Sequence, residues 1–189
     1  YWVRSTRQRP DQVYPSKPVI GFVRNKTDLN GGWGQKGDAA AQLHNSGFII
    51  VDKDDNPVEP PERYDHLVRD ADRIRLCALN YFIEPAREQR ETRVSIRAGT
   101  LADDLFLGNR MRNVCQALKG GKFQELANVS PPTQTGANDS TTTTFTFNLG
   151  KPQAMDFASQ DNVQNATNLI LYGPPGTGKT YTTAWEAVK

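Results

Sequence analysis

An α+β region followed by the beginning of an α/β domain is the fold class that the sequence predicts. Three observations support it. Apolar residues recur at helical spacing between residues 65 and 84, at Leu67, Ala71, Ile74, Ala78 and Tyr81. Val94 and Ile96 alternate with polar residues, as in a half-buried strand. Residues 168–180 join a short apolar run, a glycine-rich loop and a Lys-Thr pair, the order of a strand, a loop and a helix.

The chain has 189 residues, enough for one domain and a piece of another. We expect residues 1–129 to form the α+β region, either as one unit or as two small modules, 1–60 and 61–129. Residues 130–166, which begin rich in Pro, Thr, Gly and Asn, predict a linker, within which the alternating residues 141–147 suit either a strand or an extended crossover. Residues 167–189 begin the α/β domain. Because the first residue is Tyr1 and only nine residues follow Thr180, we expect a fragment of a longer protein.

Composition excludes few classes. The net charge of +2 is too small to indicate a partner for the whole chain. No apolar run approaches the roughly twenty residues that a membrane-spanning helix needs, so we expect a cytoplasmic protein. Cys77 and Cys115 stand alone without metal-ligand spacing, which predicts buried, reduced thiols.

The elements of residues 1–91 follow from spacing and turn residues. Residues 18–23 suit either a strand or a buried helical turn, and residues 36–46 suit a helix that Gly47 ends. Residues 48–51 predict a strand. The helix over residues 65–84 should stop at Pro85, which lacks an N–H. Arg69, Asp70, Arg73 and Glu84 lie mostly off its apolar stripe and should be solvated.

Residues 93–119 predict a strand and two helices. The strand covers residues 93–99, and a helix over 100–106 begins like a capping box with Asp103 in place of Glu. After a turn at Gly108-Asn109 comes a helix over 110–119, with an inward stripe of Met111, Val114, Cys115 and Leu118. A helix, a short glycine turn and a second helix are the outline of a helix-turn-helix element.

The polar side of the second helix and its neighbours form the candidate DNA-binding set. Residues 92–124 contain six Lys or Arg against two acids. Arg suits guanine edges and phosphates, and Asn and Gln suit adenine edges. The alternative is a solvated amphipathic helix in a two-helix hairpin. The candidate set is Arg97, Arg110, Arg112, Asn113, Gln116, Lys119 and Lys122.

The glycine-rich loop predicts a nucleoside triphosphate site. Gly173, Gly176 and Gly178 allow backbone N–H groups to surround phosphate oxygens at a helix N-terminus. Lys179 supplies a charge to the β- and γ-phosphates, and the Thr180 hydroxyl binds Mg²⁺. A bare Gly/Pro-rich turn is the alternative. The predicted nucleotide-binding residues are Gly173, Pro174, Pro175, Gly176, Thr177, Gly178, Lys179, Thr180 and Tyr181.

The loop also carries a family resemblance. With Pro174, Pro175 and Thr177 inside it and tyrosines on either side, it resembles the phosphate loop of AAA+ NTPases. Residues 168–189 resemble the start of the motor domain in McrB-like subunits of modification-dependent restriction systems. Residues 94–99, 107–111 and 114–118 are similar to a module of bacterial restriction and defence proteins, and the segment from Tyr14-Pro-Ser-Lys17 to Gly47-Phe48 is similar to another. The resemblance implies a ring-forming motor that uses ATP or GTP with Mg²⁺, binds DNA and serves a separate nuclease.

Three interpretations remain open. Residues 1–129 form a DNA-recognition region joined to an AAA+ motor, or they form a protein-interaction adaptor of a generic AAA+ remodelling ATPase. In the third, the chain is an inactive truncation product. No Ser/His/Asp arrangement or nuclease-type acid motif indicates catalysis in residues 1–129, so the nuclease would lie on another chain. The acid that would hold Mg²⁺ on a later strand of the motor is also missing from the sequence.

Overall fold

Two small antiparallel sheets organise residues 1–6 and 12–150, the part of the chain that the structure, a computed structural model, describes. The first sheet consists of β1 (Trp2–Arg4), β2 (Val13–Pro15) and β3 (Ile50–Val51) in the order β2-β1-β3. Val3 lies opposite Tyr14 on one side and Ile50 on the other. The predicted strand over 48–51 is confirmed only for its last two residues.

Helices α1 (Ser16–Arg24) and α2 (Ala39–Asn45) pack beside the first sheet. The sequence suits either a strand or a buried helical turn over residues 18–23, and the structure shows a helix there. Gly47 ends α2 as predicted, with φ +86°. Its N–H bonds to the His44 carbonyl, and a Cβ at this position would lie 2.5 Å from the Cβ of Leu76. Both the backbone angle and the close approach of the neighbouring helix therefore require glycine here.

The long helix begins later than the sequence predicts. It starts as α3 (Asp70–Ala78), not at residue 65. The side chain of Asn45 in α2 hydrogen-bonds to the backbone of residues 66–68. Its Oδ1 accepts the Val68 N–H at 2.8 Å, and its Nδ2 donates to the His66 carbonyl at 2.9 Å. These bonds hold the approach to α3 outside a helical conformation, so contacts from α2 override the local helical spacing.

The predicted stop at Pro85 is also wrong. A π-helical segment (Leu79–Ile83) follows α3 and leads directly into α4 (Glu84–Glu88). The Glu84 N–H bonds to the Leu79 carbonyl, five residues earlier. Pro85 then lies in the first turn of α4, where the missing N–H of proline costs little. The change in hydrogen-bond register lets the chain continue past the proline.

Arg73 is buried, although the sequence predicted a solvated side chain. Only 7% of it is exposed. Its guanidinium donates to the carbonyl oxygens of His44 at 2.7 Å and Phe48 at 2.6 Å. The former belongs to the C-terminal turn of α2, where carbonyl groups lack helical partners and a cation is favourable. Arg73 therefore joins α3 to the end of α2.

The remaining elements are the second sheet and three helices. β4 (Arg93–Arg97) confirms the strand predicted over residues 93–99 except for its last two residues, which are helical. α5 (Ala98–Asp104), a 3-10 turn (Gly108–Arg110), α6 (Met111–Lys119) and α7 (Gly121–Ala127) follow. The two predicted helices are thus present. The predicted capping box is wrong, because α5 begins two residues earlier, directly after β4, and has no side-chain cap.

Residues 133–148 do not form the predicted linker, and of the two alternatives for residues 141–147 the strand is confirmed from Thr144 onward. They form β5 (Thr133–Thr135) and β6 (Thr144–Asn148), and the sheet order is β4-β6-β5. Phe145 and Phe147 are fully buried, and the Phe147 ring lies edge-on to Phe123 of α7, with 5.3 Å between centroids. Alternating Thr and Phe give β6 one apolar face, and that face completes the core. The rest of the predicted linker, residues 151–166, lies outside the described residues.

Buried apolar residues form two clusters within one compact unit. The first cluster includes Val3, Trp33, the alanines of α2 and Ile50. The second cluster includes the buried faces of α3, α5, α6 and α7 and of the second sheet. Tyr81 connects the π-helical segment to the first sheet. Its hydroxyl donates to the Arg4 carbonyl of β1 and accepts the Ile49 N–H, which precedes β3, both at 2.9 Å.

The two cysteines lie in the second cluster. Both are buried and free, as predicted. Burial raises the pKa of the Cys77 thiol to about 11, and it also raises the pKa of Cys115. A thiol that stays protonated at neutral pH is a poor nucleophile and metal ligand, so both behave as small apolar core residues.

Candidate nucleic-acid interface

Helix α6 presents one buried face and one exposed polar face. Val114 and Leu118 are fully buried, and Cys115 is 1% exposed. The opposite side carries exposed side chains that are one or three residues apart along the helix: Arg112, Asn113, Gln116 and Lys119. Four of the seven predicted DNA-binding residues therefore share one face of one helix.

The position of α6 is fixed by its packing. Its buried face shares the second cluster with α3 and with the inner face of the second sheet. At its end, Gly120 leads directly into α7, whose Phe123 packs on Phe147 of the sheet. A helix anchored on several sides presents its exposed side chains with little freedom of the backbone, which favours recognition of a rigid partner.

The cations of this face are mostly without ionic partners. Among the described residues, Arg112 and Lys119 make no ion pair, nor does the exposed Lys122 of α7. Arg110, in the turn before α6, pairs with Asp70 of α3 at 3.1 Å, and both side chains are about half exposed. An exposed pair of this kind is weak, so a phosphate could compete for Arg110.

Arg97 lies apart from the α6 residues. It ends β4, where it alternates with the fully buried Ile96, and it therefore projects from the outer face of the second sheet. Its Nε donates to the Thr141 carbonyl at 3.1 Å. The buried face of helix α6 belongs to the second cluster, which also includes the inner face of that sheet. The structure thus divides the predicted set between two surfaces.

The outer face of the second sheet is polar. Besides Arg97 it carries Arg93, an exposed residue that the candidate set omitted, and Ser95, whose hydroxyl bonds to that of Thr146 at 2.9 Å. The alternation of residues 93–97 already indicated that Arg93 and Arg97 share a face. What the sequence could not indicate is that the buried face of α6 shares a cluster with the inner face of the sheet.

Helix α5 is less suited than α6 to contact a nucleic acid. In a helix-turn-helix element the first helix crosses the phosphate backbone. Here its exposed side carries Asp103, and the neighbouring Asp104 forms an ion pair with Arg4 at 2.6 Å. Acids would repel phosphate, so the cations of α6 and α7 are the better candidates.

The predicted nucleotide site, Gly173 to Tyr181 with Thr180 as the Mg²⁺ ligand, lies outside the described residues. Within residues 1–6 and 12–150, no group of three or more His, Cys, Asp or Glu side chains is arranged to hold a metal ion. The same residues contain no helix long and apolar enough to span a membrane.

Comparisons of the chain with protein-family models, with curated proteins and with solved structures found no match.

Proposed function

We propose that this chain is the DNA-recognition and nucleotide-binding part of an AAA+ NTPase subunit in a McrB-like restriction system, and that α6 contacts the DNA. DNA binding, the DNA half, is supported by the arrangement of α6. Nucleotide binding, the nucleotide half, is supported by the sequence of residues 168–181.

The exposed face of α6 is the observation that supports DNA binding. It combines two cations that have no ion pair among the described residues with two amide side chains, all on one anchored helix. Cations fix a protein on the phosphate backbone, and Arg, Asn and Gln are the side chains that read base edges in the major groove. A merely solvated helix would have no need of this set and would more often mix both signs of charge.

The nucleotide half follows from the glycine-rich loop. In this proposal Lys179 binds the β- and γ-phosphates of ATP or GTP, and Thr180 holds Mg²⁺. The complete protein would form a homo-oligomeric ring in the cytoplasm and would act with a separate nuclease subunit. Binding of fluorescent ATP and GTP analogues to the chain, lost in Lys179→Ala, would support this half; equal binding by the variant would contradict it.

The DNA half is tested with a double charge reversal, Arg112→Glu with Lys119→Glu. Fluorescence anisotropy would follow the 189-residue chain on methylated and unmethylated duplexes at two salt concentrations. We expect the variant to bind at least about tenfold more weakly at low salt and to show a smaller salt dependence, because two phosphate contacts are lost. A preference for methylated duplex would further favour the McrB-like assignment.

The matched control reverses two exposed cations elsewhere, Lys53→Glu with Arg63→Glu, and changes the net charge equally. It should bind DNA almost as the unaltered chain does. Equal loss in both variants would mean that only net charge matters, and absence of binding by the unaltered chain at low salt would end the proposal.

A further inference from the structure

A groove of about 540 Å³ lies between α1 and α2, among residues of the first cluster and away from the elements that carry the candidate DNA face. Ile20 and Val23 of α1 line it together with Leu29, and Gln42 and Asn45 of α2 lie on the other side. It is an open concave surface. Neither the DNA interpretation nor the nucleotide loop accounts for it.

The end of α1 builds one wall of the groove. Asn25 adopts the left-handed conformation, with φ 51°, and the Lys26 N–H bonds back to the Gly21 carbonyl at 3.0 Å. A Cβ on Gly21 would lie 2.7 Å from the Lys26 carbonyl oxygen, so glycine is needed for this return. The chain then runs beside α1 and places Leu29 in the groove.

Three cations line the groove: Arg24, Lys26 and Lys36. None of them makes an ion pair among the described residues, and no Asp or Glu belongs to the lining. Like charges brought together in a concave surface repel one another and raise the local potential. An anionic partner would relieve that repulsion.

The same surface is apolar at its floor and rim. Ile20 is buried, while Val23, which also lines the groove, is 62% exposed. Large apolar side chains that remain in water beside a groove are typical of protein-interaction sites. The sugar-phosphate backbone of a nucleic acid would satisfy the cations but would leave these apolar side chains without a matching partner.

We propose that the α1–α2 groove binds an acidic peptide segment of a partner protein, with an apolar side chain seated between Ile20 and Leu29 and carboxylates facing Arg24, Lys26 and Lys36. The inference does not depend on DNA binding by α6. It gives the chain a second surface, of the kind by which a recognition subunit would recruit another protein.

The test is a selection of random 16-residue peptides displayed on phage against the immobilised 189-residue chain. Selected peptides would then be synthesised and titrated by fluorescence anisotropy. We expect peptides enriched in Asp and Glu around one or two large apolar residues. Their affinity should fall by about tenfold or more in Lys26→Glu with Lys36→Glu, because attraction becomes repulsion at two positions.

Two further variants sharpen the result. Val23→Ser removes an exposed apolar contact without opening the core, and it should weaken the same peptides severalfold. Lys53→Glu with Arg63→Glu carries the same charge change outside the groove and should bind them normally. Far-UV circular dichroism and thermal unfolding of each variant would show that the fold is retained.

Several results would overturn the inference. They are the absence of acidic peptides from the selection, and selected peptides that bind the groove variant as tightly as the unaltered chain. A duplex whose binding is lost in the groove variant, and not in Arg112→Glu with Lys119→Glu, would instead assign the groove to nucleic acid.

Discussion

The α6 face and the α1–α2 groove are both basic, yet their surroundings differ. On α6 the cations stand on a projecting helix face among Asn113 and Gln116. In the groove they surround an apolar floor that includes Ile20 and Leu29. A projecting polar helix fits a hydrated groove of DNA, whereas a concave apolar surface fits a side chain of a protein partner. The residues between the charges, more than the charges themselves, distinguish the two expected partners.

The cores beneath the two surfaces differ as well. The groove stands on the first cluster, whose α2 contributes three consecutive buried alanines. The α6 face stands on the second cluster, which contains Phe123, Phe145 and Phe147. Because larger side chains bury more apolar area, the second cluster should supply most of the stability of the unit.

Phe147→Ala should therefore have the largest effect. Removing a fully buried aromatic ring that packs on Phe123 should lower the free energy of unfolding by about 3–5 kcal/mol. Urea unfolding followed by far-UV circular dichroism measures it. Tyr81 and Arg4 connect the first sheet to elements of the second cluster. Peptide binding by the groove should therefore be lost in the same transition. A groove that keeps its peptide after the second cluster has unfolded would contradict this coupling.

The stability of the fold should depend on pH through His44 of α2. Burial, with a smaller contribution from the nearby Arg73, lowers the pKa of His44 to about 4. In the unfolded chain the pKa is near 6.5, so between these values the unfolded state binds a proton that the folded state does not. Stability should therefore fall as pH decreases from 6.5 towards 4, by about 1.4 kcal/mol per pH unit at most.

His44→Gln provides the control for that effect. In the neutral form the Nε2–H of His44 donates to the Val68 carbonyl at 3.2 Å, and a glutamine amide offers a comparable donor. Urea unfolding at pH 7.0, 6.0 and 5.0 should show a shallower dependence in the variant. Identical slopes in the two proteins would assign the pH dependence to other groups.

The smallest effect concerns the Arg110–Asp70 pair. Asp70→Asn should change the free energy of unfolding by no more than about 0.5 kcal/mol, since the pair is exposed and Asn tolerates the positive φ of residue 70. It should raise DNA affinity by about twofold, because an acid beside α6 is removed and Arg110 is freed. Asp65→Asn, which breaks an exposed pair with Arg69, is the matched control and should leave DNA affinity unchanged.

Local patterns predicted the elements that have one continuous apolar surface. The alternation of Val94 and Ile96 predicted β4, and the stripe of Val114, Cys115 and Leu118 predicted both α6 and its exposed face. Gly47 correctly predicted the end of α2. In each case one surface of the element is apolar along its whole length, so spacing alone is informative.

The errors share a cause, which is contact between distant segments. Arg73 was expected in solvent because nothing nearby in the sequence indicates that two carbonyls of another segment would receive it. The alternation of residues 141–147 suits a strand, yet nothing nearby in the sequence shows that β6 would pair with β4, so composition places residues 133–148 in a linker. The groove was missed for the same reason, since Lys36 and Lys26 meet only when α2 packs on α1.

One crossed experiment tests the central claim most directly. Duplex DNA and a selected acidic peptide would each be titrated with the α6 variant, Arg112→Glu with Lys119→Glu, and with the groove variant, Lys26→Glu with Lys36→Glu. We predict that the α6 variant loses DNA and keeps the peptide, while the groove variant loses the peptide and keeps most of its DNA affinity. Equal loss of both ligands in both variants would contradict the claim that the molecule has two distinct basic surfaces.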